Sequence, residues 1–237
     1  VGTGGSKSKG GVDKSAGYND PQENVQGSPR ARAIRDSYMG SGSRSEEDWD
    51  AIRANPDLRG RMFDAYNALP SYDKGAEKAY RDLAKEVEQQ FDHMVKSGLK
   101  VEFVNYDPYK TANEMRADVE SGSIRVMQTA VTGAHPFFTN EQNDKFRAVH
   151  DVFGHASTGR GFDRHGERSA YISHKEMFRS PDAVRALASE TEGQNAVATL
   201  TGKFGEQKVA LMPDDLVFDS RLASAALITV ITRTRLG

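Results

Sequence analysis

The sequence predicts an α+β domain, mainly α with a small β-sheet. Most of the chain from Ser45 to Asn195 carries apolar residues at helical spacing, opened by capping residues and closed by Gly or Pro. Only two short segments, near 100–106 and 123–129, alternate in the manner of strands. The chain of 237 residues suits one domain with some tail to spare.

Composition narrows the chemistry. A net charge of −2 and a pI near 6.3 give no general electrostatic reason to bind nucleic acid or an anionic membrane. Cysteine is absent, which excludes disulfides, thiolate zinc sites and Cys nucleophiles. The most apolar stretch, Leu222 to Ile231, is too short to span a bilayer and contains Ser and Thr. No signal peptide is visible, so the expected setting is the cytoplasm or a larger particle.

Residues 1–44 hold nine Gly and seven Ser with almost no apolar periodicity, and read as a flexible arm, a linker or a partner-binding segment. The remainder, 45–237, reads as a single helical metal-binding domain. Ser45 with Glu46, Glu47 and Asp48 caps a short helix that ends before Pro56, and Asp57 to Leu69 forms the next. A long amphipathic helix runs from about Lys74 to Ser97, with Tyr80, Leu83, Val87, Phe91 and Met94 along its stripe and Gly98 just past its end. His93 lies off that stripe and is expected in solvent. Lys100 to Tyr106 and Ser123 to Thr129 are the two strands, separated by a helix over Ala112 to Glu120. No solenoid repeat is present. Ala223 to Thr232 fits a strand or a docked helix equally well.

The chemistry-bearing stretch is Phe146 to Asn195. It opens on His150-Asp151-Val152-Phe153-Gly154-His155. On a regular α-helix two residues five apart point about 140° away from each other. Gly154 is therefore expected to end the helix and let His155 swing back toward His150. The next helix carries Glu167 and His174 on one face, either orienting ligands or holding a second metal; a mononuclear site is the preferred reading. A third helix, capped by Ser180 and Pro181, puts Glu190 in line with Ala183 and Leu187. A carboxylate on an apolar face needs a partner, and a divalent cation is an effective one. Glu192 follows the polar line of Arg185 and Ser189 and is expected in solvent. The predicted ligands are thus His150, His155 and Glu190, which suit Fe, Mn or Zn.

From about Ile124 to Asn195 the sequence resembles the catalytic core of the aromatic amino acid hydroxylases, the pterin-dependent iron monooxygenases. The His-acid-apolar-apolar-Gly-His motif at 150–155, Arg125-Val126 and Pro136-Phe137-Phe138-Thr139 carry the likeness, over about 70 of the 237 residues. The resemblance implies Fe(II) on the same three ligands, a pterin cosubstrate, and Asp151 as the acid that orients ligands or holds the cosubstrate. Val131 stands where the family's substrate-gripping arginine falls, and Arg185 and Ala186 stand near its wall of aromatics.

The function expected from the sequence is a mononuclear non-heme iron oxygenase that hydroxylates a small-molecule substrate with O₂ and an external reductant. Phe137, Phe138 and Phe153 are candidates for the pocket wall or for plain core. Two other functions fit the same residues. One is a zinc-dependent hydrolase. The other is a structural or interaction protein, a processed component of a larger assembly joined through the N-terminal arm, with a stabilising or vestigial metal site.

Overall fold

In the computed structural model, residues 21–218 are described. The expected C-terminal segment from Ala223 to Thr232 lies outside them, as does the first part of the arm. The helices are α1 (Pro29–Met39), α2 (Glu46–Ala51), α3 (Pro56–Ala68), α4 (Glu77–Lys96), α5 (Ala112–Ser121), α6 (Thr129–Thr132), α7 (Asn140–His150), α8 (Arg164–Lys175), α9 (Pro181–Ala188), α10 (Gln194–Thr201) and α11 (Asp214–Val217). Strands β1 (Lys100–Val104) and β2 (Ser123–Met127) pair in parallel, Lys100 opposite Ser123 and Val104 opposite Met127. A parallel pair needs a crossover, and α5 supplies it. The mainly helical α+β expectation is met.

Local chemistry sets the boundaries. Ser45 and Asp48 form a capping box on α2, Thr111 and Glu114 on α5, and Thr139 and Gln142 on α7. Gly122, at φ 101°, closes α5 where the sequence placed its end. Part of the expected arm is instead structured. Ser28 caps α1 by accepting from Ala31 N, Pro29 starts the helix, and Gly40 ends it at φ 70°. Its Ala31 and Ile34 are buried, because Gly and Ser at the helix ends masked a short amphipathic segment between them. His93 is not a plain solvent residue either; its Nε2 lies 2.8 Å from Ser37 Oγ and 3.2 Å from Ile34 O, tying α4 to α1.

The long helix α4 is the spine, with α7 and α9 packed along it. Tyr80, Leu83 and Met94 are fully enclosed there. Helix α8 lies against the turn that follows α7, and α10 lies against α3. Among the described residues, no helix is long and apolar enough to cross a membrane.

Candidate metal centre

Helix α7 does not stop at Gly154. It passes directly into a π-helical turn, Asp151–Ala156, and stays helical through Thr158. In a π turn the backbone bonds run i→i+5, which stacks residues five apart. The spacing that is poor for an α-helix therefore suits this one, and the His150 and His155 rings meet edge to face with centroids 5.4 Å apart. Gly154 has a different job from the one its conformational freedom suggested. A Cβ there would sit 3.0 Å from Ala170 Cβ and 3.1 Å from Ala170 O, so the missing side chain lets α8 press against the turn.

That contact delivers Glu167. His150, His155 and Glu167 each offer a ligand atom within 4.8 Å of the others. Glu167 Oε1 lies 3.6 Å from His155 Nε2, while its Oε2 accepts a 2.8 Å bond from Asn195 Nδ2. Glu167, expected only to orient ligands or serve a second metal, takes the position assigned to Glu190.

Glu190 is elsewhere. Its carboxylate is buried against His135, with Oε1 3.1 Å from Nε2. His135 Nδ1 accepts from the backbone N–H groups of Phe137 and Phe138, both at 3.0 Å. The ring proton therefore sits on Nε2 and is donated to Glu190. The argument from an apolar helix face was right that Glu190 needs a buried partner; that partner is an imidazole. Glu192 is 1 % exposed rather than solvated, and its Oε2 accepts from Arg168 Nη1 at 2.8 Å. Both corrections share one cause. A second π turn, Ser189–Gly193, follows α9 and shifts the helical phase just where these residues occur. The shifted segment sends Glu190 to His135, Glu192 to Arg168, Gln194 to Tyr66 and Asn195 to Glu167.

The imidazoles are oriented from behind. His174 is fully buried, and burial with the nearby Arg35 charge holds it down at about 3, so its ring is neutral. Its Nε2 faces Gln90 Oε1 at 2.8 Å and must carry the proton; its Nδ1, 3.3 Å from His150 Nδ1, is then the acceptor. His150 donates through Nδ1, which leaves its Nε2 without a proton. Burial keeps His150 well below the usual imidazole range, with His155 and His174 adding to the effect. His155 Nδ1 donates to Arg160 O at 3.0 Å, so its Nε2 faces the cluster. Imidazoles fixed in this way through the far nitrogen are the usual support of metal ligands. Gln90 and Asn195 were not singled out in the sequence, because a lone amide on a long helix carries no motif.

Asp151 borders the group. Burial pushes its carboxyl up to about 7, Glu167 adding to the rise while His155 opposes it. Phe162, 39 % exposed, packs its ring 4.9 Å from His155 on the outer side. Phe138 and Phe153 are core, and Phe137 packs on Tyr80. An open groove on α4, lined by Arg81, Lys85, Glu88, Phe137 and Gln142 among others, includes none of the three cluster residues.

The donors fit a divalent transition ion: two neutral-capable imidazoles and one carboxylate, converging and held. Comparison with protein-family models, with curated proteins and with solved structures gives no match to this chain.

Proposed function

We propose that the chain binds one divalent transition-metal ion through His150 Nε2, His155 Nε2 and a Glu167 carboxylate oxygen, and acts as a mononuclear non-heme iron oxygenase-like domain on a small-molecule substrate. The observation that supports this reading is the convergence of those three side chains within 4.8 Å. Two His and one carboxylate with open positions form the donor set of Fe(II) oxygenases, in which the bound iron supplies O₂ activation. Gln90 and His174 hold His150 in the ligating tautomer, Arg160 O does the same for His155, and Asn195 steadies Glu167. Phe162 offers an apolar surface beside His155 for the substrate to pack against. The likeness to the aromatic amino acid hydroxylases enters only through the motif at 150–155; the third ligand proposed is not the one it implied, and a pterin is not part of the proposal.

A zinc-dependent hydrolase is the second reading, and Asp151 favours it. Burial raises the Asp151 carboxyl above its ordinary range, and a carboxyl beside the ligands is the kind of group that serves a metal-activated water as general base. Metal analysis of anaerobically purified protein, followed by O₂ uptake with ascorbate as reductant, separates the two. Iron with iron-dependent O₂ uptake supports the oxygenase. Stoichiometric zinc without such uptake supports hydrolysis, and a chain that binds neither ion refutes both.

A further inference from the structure

Five arginines are buried among the described residues: Arg35, Arg59, Arg160, Arg164 and Arg168. Three have carboxylate partners. Arg35 pairs with Glu176 at 2.6 Å, Arg160 with Asp50 at 2.9 Å, and Arg168 with Glu192 at 2.8 Å. Arg59 and Arg164, 3 % and 4 % exposed, form no ion pair with a described residue. Arg59 Nη1 donates to Thr199 Oγ1 at 3.3 Å and Nη2 to the Arg164 carbonyl at 3.1 Å, but its Nε has no partner. Arg164 Nη1 is likewise buried without one.

The two lie together where α3 meets the start of α8, joined by that bond from Arg59 to the Arg164 carbonyl. Burial lowers the Arg59 pKa, and the charges of Arg164 and Arg168 lower it further against Glu192 and Glu167. Glu192 Oε1 and Tyr171 Oη, on two residues that contact Arg168, also lack partners. Hydrogen-bonding capacity is therefore in excess, and so is positive charge, since Glu192 already serves Arg168. Water would fill the bonds but not offset the charge, and burying an unpaired cation is strongly unfavourable. A guanidinium fork matches an oxyanion with two parallel N–H bonds.

We propose that Arg59 and Arg164 hold a small oxyanion, the carboxylate or phosphate end group of a small-molecule ligand. The anchor itself does not depend on a metal.

The test uses the full chain, stripped with EDTA, in sodium phosphate, sodium succinate and sodium chloride at matched ionic strength. Phosphate or succinate is expected to raise the thermal midpoint above that in chloride. A response to phosphate alone identifies a phosphate group, and a response to succinate alone identifies a carboxylate. Arg164→Met and Arg59→Met should each weaken that binding at least about tenfold in calorimetric titration. Arg164→Met should fold at least as stably as the parent in chloride, since it removes an unpaired buried charge; Arg59→Met removes one too but also gives up two hydrogen bonds. Arg61→Met, on the exposed side of α3, serves as the control and should leave the response intact. The proposal is overturned if neither anion exceeds chloride, or if Arg164→Met and Arg59→Met respond like the parent. Metal binding measured on the same samples keeps the two hypotheses separate: loss of the anion response with metal retained removes only the anchor.

Discussion

Gln90 lies on α4, 84 residues before His174 in the chain, yet the tautomer of His150 depends on it. Its Oε1 is the acceptor that keeps the His174 proton on Nε2, and through the 3.3 Å contact of the two Nδ1 atoms it keeps the His150 proton on Nδ1. In Gln90→Leu that acceptor is gone. The His174 N–H is left buried and unsatisfied, at a cost of about 1–3 kcal/mol, and moving the proton to Nδ1 becomes the alternative. His174 would then donate to His150, forcing the His150 proton onto Nε2, the nitrogen proposed to face the metal. Loss of this kind of support costs roughly 10–100-fold in metal affinity, about 1.4–2.8 kcal/mol. Competition titration with Co²⁺ or Zn²⁺ reads the affinity, and long-range ¹H–¹⁵N spectra of the imidazoles read the tautomer. Gln90→Glu keeps an acceptor in place and should retain the affinity. A folded Gln90→Leu protein with unchanged affinity and unchanged tautomers would refute the relay.

Metal loading should depend on pH through His155. Burial opposes charge on that ring, but the Glu167 and Asp151 carboxylates outweigh it and raise it to about 9. At neutral pH an incoming ion must displace the Nε2 proton, so affinity should fall as pH is lowered, by about tenfold per unit, with proton release visible in calorimetry across buffers; a flat profile between about pH 6 and 8 would contradict this. Arg168→Met takes from the buried Glu192 carboxylate its ion-pair partner and should cost about 3–5 kcal/mol in urea unfolding, with the Arg168→Met/Glu192→Gln double variant recovering part of it. Gly193→Ala should cost about 1–3 kcal/mol by the same assay, because its Cβ would crowd the Tyr66 ring, whose hydroxyl is held by Glu206 O at 2.9 Å and Gln194 Nε2 at 2.7 Å.

Helices α2 to α5 and α7 to α9 and the two strands were legible because caps and periodicity are local, whereas α1, set in a Gly- and Ser-rich stretch, and the short α6, α10 and α11 were not. Thr111 with Gly122, and Ser180 with Pro181, mark their helices without reference to the rest of the chain. The histidine pair was legible too, but its mechanism was not. Gly154 is a helix breaker by propensity, whereas here it is the flat spot against Ala170 that lets a π turn and α8 share space. Glu190 was expected beside the histidines, where the structure has Glu167, for a related reason. Extending the α9 stripe in steps of 3.6 residues assumes an unbroken α-helix, and Glu190 and Glu192 lie inside the π turn Ser189–Gly193, where that phase no longer holds. Which acid meets the histidines is decided by packing between distant segments. No spacing rule carries that information.

The most direct test is the metal content of three proteins purified in parallel under anaerobic conditions and reloaded with Fe(II): the parent chain, Glu167→Ala and Glu190→Ala. One ion per chain in the parent, little in Glu167→Ala and a full complement in Glu190→Ala is the predicted pattern. Retention in Glu167→Ala with loss in Glu190→Ala would contradict the proposed ligand set, whatever the fold around it.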